Sequence, residues 1–447
     1  MNRFPMILSS TAATAVLLLG TPGCGILSGS GQQVRELAGH EVVHEMSGDD
    51  LEELAVPTTV SEASWVWEGP RDGELVGVHP VPTGAVLHLN DGVVGLDTRT
   101  GKEVWSYRLL GSEAEAAVSP DGTFVAVSAS GSLVLLDSGT GVETLVLEHG
   151  SAGTDRLSVQ HAGLVTDDGL VTAGPGDGGG VAVSFSPWDD EPGWRGERLR
   201  CPGGIGDPRV EDGFLTPSGV VVVHACGGSD LRLTSLDTAT GEEQWSLVRG
   251  QDFDDAAEHP EQLDEETFAA AGDVAVLQNM ALMRGTVVID TVRGEVLSEA
   301  LPSGPEDTVL RVLPHGYLAV RSERLENGQW EDRFEVRDFS GSVKDTVVTD
   351  ENSVGSTVSG QLPLKDSLLK PRWSEEEDNM EVAVFDWDAE GPEETIALPV
   401  EVDLGGIDNV WEVEEALGPG TFQEVPGAVL VREHTRGEPV PRVAGLT

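Results

Sequence analysis

The residues whose spacing is best suited to chemistry lie near the start of the chain. His40, Glu41 and His44 form a His-Glu-x-x-His pattern, which on a helix places both imidazoles on one face for zinc, with the glutamate as general base. The flanking sequence does not favour a helix, because Gly39 precedes the pattern and Ser47-Gly48 follows it within a turn. No third-ligand motif follows. We therefore interpret the match as coincidence and predict no metal site.

Other arrangements of reactive side chains are no more specific. Gly176–Gly180 is a glycine run without the lysine of a phosphate-binding loop. The acidic run Glu375–Asp378 lacks the alternating ligand spacing of a calcium loop, and no Gly-x-Ser-x-Gly elbow is present. The sequence thus indicates no catalytic residue and no cofactor.

The first 23 residues are typical of an export signal. Arg3 precedes the mostly apolar run Met6–Leu19, which is too short to span a membrane, and small residues lead to Cys24. The region resembles the lipobox of bacterial lipoproteins, with Thr21 where that family prefers leucine. The resemblance implies that residues 1–23 are removed and that Cys24 is lipidated. We expect anchoring at the outer face of the cytoplasmic membrane, with secretion as the alternative.

Residues 24–62 have the composition of an acidic, flexible tether. Glycine and serine are frequent at its start, and acidic residues cluster at Asp49-Asp50 and Glu52-Glu53. A short amphipathic helix around Val34–Met46 is the alternative prediction for part of this segment.

A ten-residue phrase recurs after the tether. Leu96–Trp105 and Leu236–Trp245 match at Leu, Asp, Thr, Gly and Trp with identical spacing, and Leu136–Leu145 is a copy without tryptophan. In such a turn the aspartate accepts backbone hydrogen bonds and the glycine adopts positive φ to close a hairpin. The shared positions are Asp97, Thr100, Gly101 and Trp105, then Asp137, Thr140 and Gly141, then Asp237, Thr240, Gly241 and Trp245.

The phrase and its weaker echoes recur at intervals of roughly 40–50 residues, each interval holding about four short strands, which is the signature of propeller blades. We therefore predict an all-β fold over residues 63–447, a single propeller of eight four-stranded antiparallel blades. Seven blades are the alternative, because Gly341–Trp373 is poorly periodic. The strand at Trp65–Trp67 is predicted to complete the last blade and so close the ring. A surface helix is expected at Ala256–Ala271.

Charge and cysteine content limit the partners. The chain carries 78 acidic and 27 basic residues, a net charge of −51, which excludes a basic nucleic-acid footprint. We interpret this acidity as a contribution to solubility in a salty exterior, with cation binding as the alternative. With Cys24 lipidated, Cys201 and Cys226 remain as a predicted disulfide that staples adjacent blades.

The phrase Leu-Asp-x-x-Thr-Gly-x-x-x-Trp resembles the repeat of pyrroloquinoline-quinone-type β-propellers, over about Ser64–Thr447. The resemblance implies that the tryptophan packs between neighbouring blades and that the turn joins the two outer strands. The family includes quinone-dependent dehydrogenases and non-catalytic lipoproteins. The dehydrogenases carry adjacent cysteines over the cofactor, whereas Cys201 and Cys226 are not adjacent, so we do not predict quinone binding.

From these observations we predict a monomeric, non-catalytic, membrane-anchored lipoprotein that acts as a scaffold for another protein of the cell envelope. Gram-negative proteins of similar architecture serve in outer-membrane protein assembly. The arginine-rich, lysine-poor composition suggests an actinobacterial envelope, where that role would not transfer. One alternative is a divergent quinone-dependent or hydrolytic enzyme at the channel mouth. Another is a binder of sugars or cell-wall ligands, with exposed aromatic candidates at Trp188, Trp194, Trp330 and Trp373.

Overall fold

The computed structural model consists of β-strands and turns throughout the residues it describes. Those residues are 32–37, 39–48, 51–71, 73–129, 131–148, 164–175, 181–189, 193–199, 201, 209–216, 219–226, 230–252, 266–271, 273–279, 284–298, 307–325, 330–349, 360–374, 379–387, 389, 392, 394–400, 422–433 and 440–447. No helix that could span a membrane occurs in these ranges.

The strands form eight antiparallel sheets, the blades of the predicted propeller. Blade 1 contains β1 (Gln32–Leu37), β2 (His40–Glu45), β4 (Leu75–Val81), β5 (Gly84–Leu89), β6 (Gly92–Asp97) and β7 (Lys102–Leu110). Blade 2 contains β8 (Glu115–Val118), β9 (Phe124–Ala129), β10 (Ser132–Asp137) and β11 (Glu143–Glu148). Blade 3 contains β12 (Gly169–Pro175), β13 (Val181–Pro187) and β14 (Trp194–Leu199), and blade 4 contains β15 (Arg209–Thr216), β16 (Gly219–Cys226), β17 (Asp230–Leu236) and β18 (Glu243–Val248).

The second half of the ring repeats this arrangement. Blade 5 contains β19 (Glu266–Ala271), β20 (Val274–Asn279), β21 (Arg284–Asp290) and β22 (Glu295–Ser298), and blade 6 contains β23 (Asp307–Leu313), β24 (Gly316–Arg324), β25 (Trp330–Asp338) and β26 (Val343–Thr349). Blade 7 contains β27 (Leu362–Pro363), β28 (Ser367–Ser374), β29 (Asn379–Asp386) and β30 (Glu394–Ala397). Blade 8 contains β3 (Ala63–Glu68), β31 (Phe422–Val425), β32 (Ala428–Arg432) and β33 (Arg442–Leu446).

The hydrophobic core lies between blades rather than inside any one of them. Eight clusters of buried side chains each join two neighbouring blades, so that the clusters run once around the ring. Each blade is apolar on both faces because both faces are covered, which explains the continuous apolar runs in its middle strands, such as Gly219–Cys226. The eight-bladed prediction is confirmed, and the poorly periodic stretch before Trp373 contains β27 and β28 of blade 7.

The ring is closed as predicted, by a strand from the start of the domain. β3 pairs with β33 as the outer strand of blade 8, with Trp65 opposite Gly445 and Glu68 opposite Arg442. Backbone bonds continue the pairing, since the N–H of Thr447 donates to the carbonyl of Glu62 at 3.0 Å. Closure in this way gives blade 8 its outer strand.

The prediction of a flexible tether is wrong where the structure describes this segment. β1 and β2 form a hairpin, with Val34 opposite Val43, and β2 pairs with the outer edge of β7. The pairing partner lies about 65 residues further along the chain, so local composition does not reveal it. The helix considered at Val34–Met46 is likewise not formed.

Residues 51–61 pass along the turns between the first and second strands of three blades. The N–H of Leu54 donates to the carbonyl of Pro82 in blade 1, Gly427 of blade 8 donates to Ala55, and Asp366 of blade 7 donates to Thr58. Val60 is buried in the cluster between blades 7 and 8. Sequential docking on three blades holds this acidic segment against the ring.

The helix expected at Ala256–Ala271 is not found in the part that the structure describes. Glu266–Ala271 is β19, which pairs with β20 as the first strand of blade 5. Residues 256–265 lie outside the described residues. The alanine-rich sequence favours a helix locally, but the adjacent strand supplies backbone partners that override this preference.

Candidate functional site

The repeated turn is built by its aspartate. In blade 4 the Asp237 carboxylate accepts hydrogen bonds from the N–H of Ala239 at 3.0 Å and of Thr240 at 2.8 Å, and from the Thr240 hydroxyl at 3.0 Å. These bonds, above all those from Thr240, hold the pKa of Asp237 below its ordinary value. Asp137 accepts the equivalent bonds from Thr140, and Asp97 accepts bonds from Arg99 and Thr100.

Each of these turns receives a tryptophan from the preceding blade. The indole N–H of Trp105 donates to the carbonyl of Ser138 at 2.8 Å, and that of Trp245 donates to Thr291 at 2.9 Å. Trp65 donates to Thr98 at 2.8 Å and Trp194 to Thr238 at 2.7 Å. Four tryptophans therefore dock blades to their neighbours in one geometry.

Sequence reasoning assigned this role to only two of the four. Trp65 and Trp194 were missed because neither follows an Asp-x-x-Thr-Gly turn by four residues in the sequence. The signal that could have found them is a tryptophan near the start of an outer strand.

The turn glycine is the surface on which the tryptophan lies. Gly141 has a φ of 70°, and a Cβ added there would lie 2.7 Å from ring atoms of Trp105. Gly241 has a φ of 71° and faces Trp194 in the same way. Only glycine satisfies both the backbone conformation and the close approach of the ring.

The hairpin β1–β2 covers the groove between blades 1 and 2. His44 is buried, and its Nε2 donates to the carbonyl of Gly141 at 2.7 Å, while its ring packs edge-on against Tyr107. Arg35 forms an ion pair with Glu143 of blade 2. The N–H of Ser47 donates to the carbonyl of Thr140 at 2.9 Å. These polar contacts fix the hairpin to the turn of the neighbouring blade.

This placement settles the geometry of the His-Glu-x-x-His pattern. His40, Glu41 and His44 lie on strand β2. The Nε2 of His44 donates a hydrogen bond to the backbone carbonyl of Gly141. A zinc site of this type needs the helical arrangement that brings both imidazoles to one ion. No group of three or more metal-binding side chains occurs within the described ranges.

The predicted disulfide is present. Cys201 and Cys226 are bonded, with 5.4 Å between their Cα atoms. Cys201 follows β14 of blade 3, and Cys226 is the last residue of β16 in blade 4. The bridge therefore ties the connection leaving blade 3 to the second strand of blade 4.

A groove opens between blades 3 and 4, next to this disulfide. It has a volume of about 830 Å³, and we name it the 3–4 groove. Arg195 and Leu199 of β14 form one wall, and the faces of β16, β17 and β18 form the other. The lining residues of this second wall are His224, Arg232, Thr234, Leu236, Thr240, Gly241, Glu242, Glu243, Ser246, Val248 and Gln251.

The cationic Arg232 and a buried imidazole, His224, lie inside the 3–4 groove, whereas acidic groups lie at its rim. His224 is only 2% exposed, and burial, followed by the charge of Arg232, lowers the pKa of its imidazole to about 4. Among the described residues, neither the Nδ1 of His224 nor the Nε of Arg232 has a hydrogen-bond partner. Glu242 and Glu243 are exposed at the turn end. The groove therefore presents, in a strongly acidic protein, two buried nitrogens without partners in the described part of the chain.

A second group of titratable residues lies on the innermost strands. Burial, with the neighbouring His88 in second place, lowers the pKa of His79 to about 4, and the two rings are stacked 6.1 Å apart. Burial also raises the pKa of Glu424, against the opposing charge of Arg311. Arg311 and Glu424 belong to blades 6 and 8, so their interaction links two blades that are not adjacent.

The remaining candidates from the sequence are placed as follows. Cys24 and the glycine run at 176–180 lie outside the described residues. The indole of Trp188 donates to the carbonyl of Thr166 at 3.1 Å, and Trp194 docks on blade 4. Both rings are thus engaged in blade packing. For Trp330 and Trp373 only the backbone is described.

Residues 58–187 match a family model of the PQQ type, described as "Outer membrane protein assembly factor BamB". The match covers β3 and blades 1 and 2, which carry two of the three clear copies of the repeated phrase, and reaches into blade 3. No curated protein sequence matches the chain significantly.

Several solved structures are similar to this chain at low identity. The WD40 domain of SCAP from fission yeast is 10% identical, over 86% of this chain and 97% of that chain, with a TM-score of 0.45. A quinohemoprotein alcohol dehydrogenase from Pseudomonas putida HK5 is 12% identical, over 89% of this chain and 78% of that chain, with a TM-score of 0.44. Sqt1 from Saccharomyces cerevisiae is 10% identical, over 87% of this chain and all of that chain, with a TM-score of 0.41. We draw no functional argument from these likenesses.

The match over residues 58–187, the turn chemistry and the ring of blades agree with one another. The protein is an eight-bladed β-propeller in which residues 58–187 match repeats of the pyrroloquinoline-quinone type.

Proposed function

We propose that this protein is a lipid-anchored, extracytoplasmic scaffold that binds another protein of the cell envelope. The observation that carries the proposal is the hairpin β1–β2, which adds two strands to the outer edge of blade 1 and fills the groove beside it. An outer blade edge and its adjoining groove can therefore bind an extended segment. Strand addition of this kind is a general mode of protein recognition.

Two further observations support a binding role. The motif residues of the repeat form the turns and join neighbouring blades, so their role is to make the propeller a rigid framework. The family matched over residues 58–187 is described as an assembly factor, which is a property of that family and a guide for this chain.

The proposed anchor has a geometric consequence. β1 begins at Gln32, eight residues after Cys24, and eight extended residues span at most about 28 Å. A lipid on Cys24 would therefore hold the edge of blade 1 close to the membrane surface, in place of the long tether expected from composition.

The anchor is tested with Cys24→Ser in a bacterial host that processes lipoproteins. We expect the native chain to fractionate with membranes and to incorporate labelled fatty acid. The Cys24→Ser variant should do neither, and Cys201→Ser with Cys226→Ser should leave the label unchanged. An unlabelled native chain in the soluble fraction would contradict the anchor.

The scaffold role is tested by crosslinking the tagged full-length protein in intact cells, followed by mass spectrometry. A partner at near-stoichiometric yield, with crosslinks concentrated on a few blades, would support it. Crosslinks scattered over many proteins in proportion to their abundance would overturn it.

A further inference from the structure

The groove between blades 1 and 2 is filled by the hairpin β1–β2, whereas the corresponding 3–4 groove is open among the residues that the structure describes. Residues of blade 2 correspond to residues of blade 4 one hundred positions later, so that Asp137 matches Asp237 and Gly141 matches Gly241. Trp105 docks on the first turn and Trp194 on the second, in the same geometry. The groove between blades 1 and 2 and the 3–4 groove are therefore equivalent sites.

The filled copy shows how an extended segment is held. β2 pairs antiparallel with β7, from Glu41 opposite Leu110 to Glu45 opposite Ser106. Val42 and Leu37 are buried in the cluster that joins blades 1 and 2. Pairing with the strand edge supplies backbone hydrogen bonds, and the groove receives the inward-facing side chains.

The residues of blade 2 that bind the hairpin have equivalents in the 3–4 groove. In blade 2 the backbone carbonyls of Thr140 and Gly141 accept hydrogen bonds from the hairpin, and Glu143 pairs with Arg35. Their equivalents Thr240, Gly241 and Glu243 line the 3–4 groove. β14, the equivalent of β7, is the terminal strand of its sheet among the described residues.

The two grooves differ in the chemistry of their floors. Pairing places Ala129 opposite Ser132, with Val134 two residues further on, in blade 2. The same positions in blade 4 are His224, Arg232 and Thr234. The small or apolar floor accepts Val42 and Leu37, whereas the second floor presents cationic and polar groups, two of them with unpartnered buried nitrogens.

Resting on the proposed scaffold function, we propose that the 3–4 groove binds an extended acidic segment of the partner protein, which adds as a strand to β14 and directs a carboxylate toward Arg232 and Arg195. Charge complementarity selects this occupant, because guanidinium groups bind carboxylates strongly and the Nε of the half-buried Arg232 has no partner among the described residues. Glu243 at the rim provides a site for a basic residue at the end of the segment, as Glu143 does for Arg35.

The test places a photoreactive amino acid at position 242, at the rim of the 3–4 groove, in the full-length protein in cells. The matched control carries it at position 142, where Val142 is 42% exposed beside the groove that the hairpin already fills. Crosslinked residues of the partner are then identified by mass spectrometry. We expect crosslinks from position 242 to an acidic segment, and few from position 142.

The segment identified in this way is then synthesised as a peptide and titrated on the purified protein. Arg232→Glu and Arg195→Glu should each weaken binding at least tenfold, as should replacing the peptide's carboxylates by amides. Arg293→Glu, which makes the same charge change on the turn of blade 5, should leave affinity unchanged. Circular dichroism of each variant establishes that it is folded.

The possible results separate the two proposals. Crosslinks to a partner from other blades but not from position 242 would overturn the groove and leave the scaffold standing. The absence of any enriched partner at all positions would overturn the scaffold itself. A small anionic molecule retained by the native protein in mass spectrometry and lost in Arg232→Glu would overturn the strand as the occupant.

Discussion

At the scale of single residues, the turn glycine joins local conformation to packing between blades. Four glycines of this kind, Gly101, Gly141, Gly241 and Gly294, have positive φ and lie against Trp65, Trp105, Trp194 and Trp245 respectively. The aspartate accepts the hydrogen bonds that close the turn. Because the glycine has no Cβ, the indole of the preceding blade can pack directly against the turn backbone. Each phrase is thus one half of a joint whose other half comes from elsewhere in the chain.

Replacing Gly141 by alanine should destabilise the protein through both effects. The left-handed backbone costs alanine about 1–2 kcal/mol, and a Cβ 2.7 Å from the Trp105 ring adds about 1–3 kcal/mol of overpacking. Urea unfolding followed by circular dichroism should show the full loss for Gly141→Ala. The control is Gly111→Ala, because Gly111 has a φ of 76° and no atoms near an added Cβ. Equal losses for the two variants would show that the ring contact contributes nothing.

The turn chemistry could be predicted from sequence because it is local. Asp97, Thr100 and Gly101 lie within five positions, so spacing alone specifies their hydrogen bonds. The cationic floor of the 3–4 groove could not be predicted in this way. His224 and Arg232 lie on different strands and become neighbours only through the pairing of β16 with β17. An alignment of the repeat copies could have identified this position, because blade 4 has Arg232 where blade 2 has Ser132.

At the scale of elements, the hairpin β1–β2 is an addition to a complete blade. Blade 1 already has four strands, and the hairpin extends it to six. Its sequence alternates only weakly, with Val34 61% exposed and Val42 fully buried, so periodicity gave no strand prediction. Tertiary contacts hold the hairpin in place: pairing with β7, burial in the apolar cluster between blades 1 and 2, and the ion pair with Glu143.

Because the hairpin is peripheral, its release should be local. Val42→Asp places a charge in an apolar cluster without a partner and should detach β2. Hydrogen exchange with mass spectrometry should show rapid exchange over residues 40–45, with protection retained over residues 219–226. Val34→Asp is the control, since Val34 already faces solvent. Loss of protection in both regions would mean that the hairpin is integral to global stability.

At the scale of the whole molecule, folding brings many negative charges close together. A chain with 78 acidic and 27 basic residues folds into one body, and self-repulsion opposes this compaction. The net charge could be read from composition, as could the number of blades from the period of the repeat. The two additional strands of blade 1 could not be predicted, because the hairpin sequence is not a copy of the repeat.

Salt should therefore stabilise the protein. Raising NaCl from about 20 mM to about 500 mM shortens the screening length several-fold and should raise Tm by about 5 °C. Tetramethylammonium chloride at the same ionic strength serves as the control, because screening depends on ionic strength rather than on the cation. A rise with sodium alone would indicate specific cation binding, and an unchanged Tm would show that the repulsion is negligible.

The closing strand β3 also determines when folding can finish. Ser61 bonds Thr447 across a separation of 386 residues, and Ala63 pairs with Leu446. During synthesis, β3 is made before strands β4–β7 of blade 1 and has no strand to pair with until β33, the last strand of blade 8, emerges. Contacts of such long range form slowly and leave apolar surface uncovered in the meantime. The unfinished ring leaves exposed the apolar faces of blades 1 and 7 that blade 8 covers, until residues 442–446 pair with β3.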